Sequence, residues 1–309
     1  MLSRTKQQTI ADEVVFRAIG VHSGASVEML VLPAQTDAGI VFRRTDLDSE
    51  LRSVTDIVAR VESVCDAELA TSITNAASTR VSTIEHLMAA FHGLGIDNAL
   101  VEIDAAEVPI MDGSAAPFVE GLLAAGIVEQ TAPLREIRIL RTIEVVEDDR
   151  FARLDPANGF SINCQIEYDT PLVAHQRFEF VPHNGAFISD ISPARTFGFA
   201  DQVEQLRSRG LARGASLENA VVISGERVLN EGGLRYADEF VRHKVLDCLG
   251  DIYLLGAPVR GHMTTRYAGH ALNHALVRAL VADPGAWEYV TVAEEDSEKE
   301  AITALAASG

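Results

Sequence analysis

The stretch from Phe240 to Asp251, FVRHKVLDCLGD, constrains the fold of this chain more than any other. At about 100° per residue, a helix places His243, Asp247 and Asp251 along one stripe. Apolar side chains cover most of the remaining surface, so beyond its first turn the helix has no side suited to water. The pattern therefore predicts a buried helix that carries ionisable side chains into the protein interior.

Buried Asp and His side chains need partners, because an isolated charge in an apolar interior costs several kcal/mol. An imidazole and a carboxylate four residues apart, such as His243 and Asp247, can share one metal ion. Alternatively, these two residues pair with each other inside the helix while Asp251 bonds elsewhere. The helix alone leaves both hypotheses open.

A second candidate pair, Glu85 and His86, opens a helix predicted to end near Leu94. Adjacent helical residues point about 100° apart. His86 could therefore be a third metal ligand while Glu85 acts as general base on a water molecule. The alternative is structural, because Ser82-x-x-Glu85 fits a capping box and His86 could be a core histidine.

Two histidines and one aspartate would leave an open position on zinc, as catalytic sites require. Such a site can hydrolyse amides, esters or phosphoesters, and the ligand set does not choose among them. His270 opens another predicted helix and is a candidate general acid, with Asp251 as the anion that would orient it. Alternatively, His270 bonds only to backbone. His274 lies on the same helix face, and we expect it to be structural.

The overall charge and the cysteine pattern exclude several classes of function. A net charge of −19 argues against nonspecific nucleic-acid binding and against electrostatic attachment to an anionic membrane. The three cysteines form no CxxC pair, so we expect no thiolate zinc site and no disulfides, but reduced thiols in a cytoplasmic protein. No signal core and no run of about 18 apolar residues occurs, so we expect no stable membrane insertion.

Strand patterns precede helix patterns in each half of the chain, which predicts an α+β fold. Residues 130–133 are polar with a proline and separate a predicted helix from a new strand, so we place a boundary there between domains at 1–130 and 131–309. The local patterns also predict strands at 7–16, 51–64 and 135–147, and a loop at 65–79.

Several short motifs, each occurring once, are spread over most of the chain, from about Lys6 to Val292. They are FRRTDL, STIEHL, HGLGIDN, PIMDGSAAPF, ARTFGF, RVLNEGGLR, DEFVRHKVLD, GHALN and WEYVT. Each motif alone is weakly specific, but their order over nearly the whole chain is highly specific. The chain resembles the UDP-3-O-acyl-N-acetylglucosamine deacetylase family, zinc amidases at the committed step of lipid A synthesis.

The resemblance implies two similar two-layer α/β sandwich domains, each with a small insert, and an active site between them. The second insert, at about 193–223, would form a passage for the acyl chain. The implied substrate is a lipid-linked nucleotide sugar, from which the enzyme removes the N-acetyl group. We expect the protein to act as a monomer.

The resemblance also implies a role for each candidate residue. It assigns one zinc ion, with iron(II) as an alternative metal in the cell, to His86, His243 and Asp247. It makes Glu85 the base and His270 the acid, with Asp251 behind His270. The implied substrate-side residues are Thr196 for the oxyanion, Lys244 for the diphosphate, Tyr168 for uracil, Arg150 as a further basic group, and Phe197, Leu211 and Ser216 along the acyl passage.

Departures from the family pattern are few. Ala215 stands where a second glycine is usual, and its methyl group could narrow the acyl passage. Arg150 replaces another basic residue, which keeps the charge but changes its geometry.

Overall fold

The structure is a computed structural model that describes residues 4–292. Its strands are β1 (Lys6–Ile10), β2 (Val14–Ile19), β3 (Ser26–Pro33), β4 (Ile40–Arg44), β5 (Asp56–Val58), β6 (Val64–Asp66), β7 (Ser72–Thr74), β8 (Arg80–Val81), β9 (Ala99–Ile103), β10 (Ile127–Pro133), β11 (Arg135–Ile139), β12 (Ile143–Glu147), β13 (Arg150–Asp155), β14 (Phe160–Glu167), β15 (His175–Phe180), β16 (Phe197–Phe199), β17 (Val221–Ser224), β18 (Arg227–Val228), β19 (Val259–Arg266) and β20 (Trp287–Thr291). Its helices are α1 (Arg52–Thr55), α2 (Glu85–Leu94), α3 (Ala116–Ala125), α4 (Val203–Ser208), α5 (Glu239–Ile252) and α6 (His270–Val281).

Two large sheets draw on separate parts of the chain. The first has five strands in the order β2-β3-β9-β4-β5, with β4 and β9 parallel and the other neighbours antiparallel. The second has seven strands, and its order along one path is β12-β13-β19-β11-β20. Strand β14 also pairs with β19, and β15 pairs with β14. Side chains alternate between buried and exposed along strands such as β3, as expected of a sheet with one covered face.

Helices pack on both large sheets and on one another. Helix α5 contacts β14 and β15 of the seven-stranded sheet on one side and α2 on the other, while α6 packs on β12 and β13. Helix α3 contacts β2 and α2. As predicted, α5 is buried: within it, only Arg242 and Lys244 escape burial.

The α+β prediction is confirmed by this mixture of helices and several sheets. The grouping of these sheets into two similar domains divided at residue 130 stays a prediction. In the described residues, no helix is long and apolar enough to cross a membrane. The C-terminal end of the predicted second domain, residues 293–309, lies outside the described residues.

Two predicted segments contribute to a separate two-stranded sheet of β1 and β10, and both differ from the prediction. Residues 7–16 form β1 and β2 rather than one strand, because the chain turns at 11–13, where Ala11 and Asp12 donate backbone hydrogen bonds to the end of α3 and the residue after it. The polar stretch 130–133, predicted as a linker, instead ends β10, which pairs antiparallel with β1. Polar residues suit this pair because most of β10 is only partly covered.

The structure also divides residues 51–79 and 135–147 into more elements than the sequence predicted. Residues 51–64 form α1, β5, a short 3-10 turn and the start of β6, and residues 65–79 include the rest of β6 and β7. These three-residue strands join β8 in a small sheet, and so short a strand has too little periodicity to recognise. Residues 135–147 form β11 and β12, separated where Leu140 donates its N–H to Ala286 O.

Residues 197–228 form a compact unit of strands and helix. Strand β16 pairs in parallel with β17, which pairs with β18, while α4 and a 3-10 turn lie between β16 and β17. The loop after α4 contacts the turn after β2, where Arg213 and Gly214 donate their N–H groups to His22 O and Val21 O. This unit of residues 197–228 therefore contacts the N-terminal part of the chain.

Candidate active site

The start of α2 places Glu85 and His86 in the interior. Thr83 adopts a left-handed conformation with φ of 59° two residues before the helix, a strained conformation for a β-branched side chain. The Ser82 hydroxyl donates to Ala106 O, and no side chain caps the helix. The capping-box alternative for Glu85 is therefore wrong. Glu85 Oε2 instead accepts a 3.0 Å hydrogen bond from the backbone N–H of Thr71.

Helices α2 and α5 come into close contact where Gly250 faces Glu85, the first residue of α2. A Cβ atom added at Gly250 would lie 2.1 Å from Glu85 O. Only glycine allows this approach without a backbone shift. The contact brings the polar stripe of α5 beside the first turn of α2.

The three predicted metal ligands meet at this contact. One ligand atom from each of His86, His243 and Asp247 lies within 4.8 Å of the others. Asp247 Oδ1 is 3.4 Å from His243 Nε2 and 3.8 Å from His86 Nε2. The two imidazole rings are nearly perpendicular, with centroids 4.9 Å apart. All three side chains are buried.

The hydrogen bonding of His243 and Asp247 leaves their facing atoms without protons. His243 Nδ1 donates to Ala194 O at 3.0 Å, so the neutral ring presents a lone pair at Nε2. Asp247 Oδ1 is buried and has no hydrogen-bond partner among the described residues. A lone pair and a carboxylate oxygen repel each other at this distance, and a cation bound by both atoms would offset that repulsion.

Burial and neighbouring charges set the proton affinities of the ligands. Burial, together with His243, lowers the pKa of His86 to about 3. Burial also lowers the pKa of His243. Burial alone would raise the pKa of Asp247, but Lys244 and His243 more than offset it and hold that pKa below its usual range. Both rings are therefore neutral and the carboxylate is ionised at neutral pH, which are the states that bind metal.

Two further ionisable groups flank the ligands. Burial raises the pKa of Glu85 to about 7. Burial alone would lower the pKa of His270, but Asp251 and Asp247 raise it to about 9. His270 Nε2 lies 4.0 Å from Glu85 Oε1 and 3.9 Å from Asp247 Oδ2. The site therefore places a carboxylate of raised pKa and an imidazolium beside one potential metal position.

Asp251 lies behind His270, as predicted. Its Oδ2 accepts hydrogen bonds of 2.9 Å from His270 Nδ1 and from Asn273 Nδ2. Because Nδ1 is held in this way, Nε2 is the atom that faces the ligands. The structural alternative, in which His270 bonds only to backbone, does not describe this geometry.

Thr71 and His274 belong to the same cluster, although sequence reasoning missed Thr71 and treated His274 as structural. Thr71 Oγ1 donates to Asp251 Oδ1 at 2.6 Å and lies 2.9 Å from His274 Nε2. His274 Nε2 is 3.2 Å from Asp251 Oδ1. Thr71 lies in a Ser- and Thr-rich segment whose composition indicates only a loop, so no local pattern could have singled it out.

The predicted substrate-side aromatic residues form a cluster next to the ligands. Phe197 contacts Tyr168 edge-on, with ring centroids 5.5 Å apart, and its ring lies 6.4 Å from that of His243. Tyr168 and Phe199 line a cavity of about 440 Å³. Lys244 Nζ lies 5.7 Å from the Phe197 ring and 2.8 Å from Asp247 Oδ2. A phosphate bound by Lys244 would share the Lys244 ammonium group with Asp247, a candidate metal ligand.

The other predicted substrate-side residues differ in solvent exposure. The backbone N–H of Thr196 donates to Gly113 O. Thr196 lies two residues after Ala194, whose carbonyl orients His243. Leu211 is half-buried and Ser216 is exposed, both in the loop after α4. Arg150 begins β13, is exposed and pairs with Glu147 at 2.9 Å, and no contact links it to the ligand cluster in residues 4–292.

A separate cavity of about 270 Å³ lies at the other end of α2. His92, Phe160 and Phe180 line it, and none of the predicted site residues does. Its apolar walls and its distance along the helix from Glu85 separate it from the ligand cluster.

Comparison with known proteins places the chain in a family. The model of the LpxC family, UDP-3-O-acyl N-acetylglycosamine deacetylase, matches residues 7–282. A UDP-3-O-acyl-N-acetylglucosamine deacetylase from Phenylobacterium zucineum is 50% identical over 292 residues, which cover 94% of this chain and 99% of that protein. Proteins of the same name from Thioalkalivibrio sulfidiphilus and Stenotrophomonas maltophilia are 47% and 48% identical over 293 and 290 residues; the matches cover 94% and 93% of this chain, and 95% and 93% of those proteins. The chain belongs to the UDP-3-O-acyl-N-acetylglucosamine deacetylase family.

Proposed function

We propose that this protein hydrolyses the N-acetyl group of UDP-3-O-acyl-N-acetylglucosamine. Water adds its oxygen to the acetamide carbonyl carbon, the C–N bond breaks, and acetate and UDP-3-O-acyl-glucosamine leave. The observation that carries the proposal is the convergence of three buried ligand atoms with Glu85 and His270 on either side. In a bacterium that makes lipid A, this reaction would commit the sugar to that lipid.

We infer that the metal is zinc and that His86, His243 and Asp247 hold it. Ligand atoms on a zinc tetrahedron with bonds of about 2.0–2.1 Å lie roughly 3.4 Å apart, and the two distances from Asp247 Oδ1 are 3.4 and 3.8 Å. The unpartnered Oδ1 supports the same inference. When bound, zinc would polarise the acetamide carbonyl and lower the pKa of a water molecule at its open position.

Glu85 serves as the general base in this proposal. With a pKa of about 7, it is ionised often enough near neutral pH to take a proton from the attacking water. The Thr71 N–H holds one carboxylate oxygen, Oε2. The other, Oε1, faces His270 and is the oxygen that would take the proton.

His270 serves as the general acid. It is protonated at neutral pH, and Asp251 holds its Nδ1–H, so Nε2 carries the proton that would pass to the departing amine. Protonation is needed because an amide nitrogen leaves as a neutral amine, not as an anion. Between pH 7 and pH 9, base and acid are in their active protonation states together.

We assign the remaining substrate contacts to the residues that the family resemblance implies. Thr196 would donate a hydrogen bond to the oxyanion, and Lys244 would meet the diphosphate. Tyr168 would stack on uracil, and Phe197, Leu211 and Ser216 would line the acyl passage. Arg150 would contribute positive charge at longer range. The cytoplasmic location and the monomeric state also stay predictions.

The decisive experiment combines metal analysis with an activity assay. Metal content is measured by inductively coupled plasma mass spectrometry, and acetate release is followed from UDP-3-O-acyl-N-acetylglucosamine before and after chelation. UDP-N-acetylglucosamine, which lacks the acyl chain, is the matched substrate. We expect one metal per chain, activity that returns with substoichiometric zinc, and little turnover without the acyl chain.

Two results would contradict the proposal. Bound metal without turnover of either sugar would indicate a metal-dependent amidase of another substrate. The absence of both metal and turnover in folded protein would return His243 and Asp247 to a structural pair within α5.

A further inference from the structure

Thr71 contacts the candidate base and the carboxylate behind the candidate acid through two different groups. Its backbone N–H donates to Glu85 Oε2 at 3.0 Å, and its hydroxyl donates to Asp251 Oδ1 at 2.6 Å. The side chain is completely buried. Asp251 in turn holds His270 Nδ1 at 2.9 Å. One residue between β6 and β7 therefore touches the carboxylate of the base and the carboxylate behind the acid.

The direction of each hydrogen bond in this cluster follows from the chemistry of the atoms. A carboxylate can only accept, so the single hydroxyl proton of Thr71 points to Asp251 Oδ1. Oγ1 then accepts from His274 Nε2 at 2.9 Å. His274 Nδ1 has no partner among the described residues, so the ring carries its proton on Nε2.

Asp251 is thereby held on both oxygens. Oδ1 receives Thr71 and lies 3.2 Å from His274 Nε2, while Oδ2 receives His270 Nδ1 and Asn273 Nδ2. Hydrogen bonds to both oxygens restrict rotation of the carboxylate, and the imidazole bonded to it keeps its orientation. Without the Thr71 hydroxyl, only the longer contact from His274 would hold Oδ1.

We propose that Thr71 is a positioning residue for the deacetylase reaction: its hydroxyl fixes the rotation of Asp251, and through Asp251 the direction of His270 Nε2. This inference rests on the proposed function. It concerns the hydroxyl alone, because the N–H bond to Glu85 is a backbone bond that any side chain other than proline retains.

The alternative is that the Thr71 hydroxyl is only a satisfied buried group, whose loss would lower stability without affecting the reaction. Thr71→Val removes the hydroxyl at nearly constant shape, and Thr71→Ser restores it. Thr55→Val is the matched control, because Thr55 is also buried and also donates to a carboxylate, Asp56 Oδ1 at 2.9 Å, away from the ligand cluster.

The first measurement is steady-state kinetics of the zinc-loaded enzyme. We expect Thr71→Val to lower kcat about tenfold while KM stays within about twofold, because a hydrogen bond to a charged group is lost from the step that needs an oriented acid. Thr71→Ser should recover most of the rate, and Thr55→Val should match the wild type. In an Asp251→Asn background, Thr71→Val should cause no further loss.

The second measurement does not depend on activity. In protein labelled with ¹⁵N-histidine, His270 Nδ1–H should give a low-field proton resonance, assigned by its absence in His270→Gln. We expect Thr71→Val to shift or broaden this resonance, and Thr71→Ser and Thr55→Val to retain it.

An unchanged kcat and an unchanged resonance in Thr71→Val would overturn the inference, as would a rate loss fully additive with Asp251→Asn. An inactive wild-type protein would contradict the proposed function instead. The resonance would then still decide whether Thr71 positions His270.

Discussion

At the scale of single residues, Glu85 and His270 lie 4.0 Å apart beside the candidate metal ligands, but different interactions set their pKa values. Glu85 owes its raised pKa chiefly to burial, whereas His270 is buried and is kept protonated by Asp251 and Asp247. A catalytic base must be ionised and a catalytic acid must be protonated. The order of the two pKa values, about 7 and about 9, leaves an interval in which both conditions hold.

This order predicts a bell-shaped dependence of kcat/KM on pH. Activity should rise as the pH increases through the pKa of Glu85 and fall as it increases through that of His270. A bound cation favours ionised Glu85, so the rising limb of the metal-loaded enzyme should lie below pH 7. The measurement is a pH series with wild type and His270→Gln. The residual activity of His270→Gln should lack the falling limb, and a retained limb would assign that limb to another group.

Replacing the base should separate metal binding from turnover. Glu85→Gln keeps an oxygen for the Thr71 N–H but cannot take a proton at neutral pH. We expect full zinc content and a fall in kcat of about 10²- to 10⁴-fold. Metal analysis and acetate release test this, with Glu120→Gln on exposed helix surface as the control. Wild-type kcat in Glu85→Gln would leave that side chain a structural role only.

At the scale of elements, the site depends on how closely α2 and α5 approach. His86 comes from one helix and His243 and Asp247 from the other, so their separation follows the distance between the helix axes. At Gly250 the two helices leave no room for a methyl group against Glu85 O, so a larger residue there would have to move them apart.

Gly250→Ala should therefore weaken both the fold and the metal site. Alanine favours an exposed helix by about 1 kcal/mol over glycine, but overpacking against a backbone atom costs about 1–3 kcal/mol. We expect a net loss in the free energy of unfolding and a lower zinc affinity. Urea unfolding and zinc titration measure the two effects. Gly159→Ala, where a Cβ would meet nothing within 4 Å, is the control and should change neither.

The same elements show what sequence reasoning could reach. Helix α5 was predictable because apolar side chains cover most of its surface around one polar stripe, and the i, i+4 spacing places His243 and Asp247 on the same face of any helix. The strands of the small sheet were not, because three residues show no period. Thr71 was out of reach because its partner Asp251 lies 180 residues away, and only tertiary structure brings them together.

At the scale of the whole molecule, a metal held by α2 and α5 would connect a helix that packs on α3 with a helix that packs on β14 and β15 of the seven-stranded sheet. A ligand that binds only the folded state stabilises it by mass action. The apolar core between the sheets is extensive and does not depend on the metal, so the metal-free protein should remain folded.

We therefore expect zinc to raise Tm without being required for folding. At a free concentration of 1,000 times Kd, the stabilisation should be about 4 kcal/mol. Thermal unfolding with and without a chelator measures the shift. His243→Ala should unfold at a temperature that zinc hardly changes, and a zinc-dependent shift of wild-type size in that variant would place the metal elsewhere.

The packing of α2 on α5 also has a consequence for synthesis of the chain. Thr71 and Asp251 are separated by 180 residues, which a ribosome adds in roughly 10–40 s at about 5–20 residues per second. During that interval the N-terminal sheet can form, but the face of α2 that will meet α5 has no cover. The nascent chain must therefore carry an exposed apolar surface until its second half emerges, and in that interval it is most prone to aggregate.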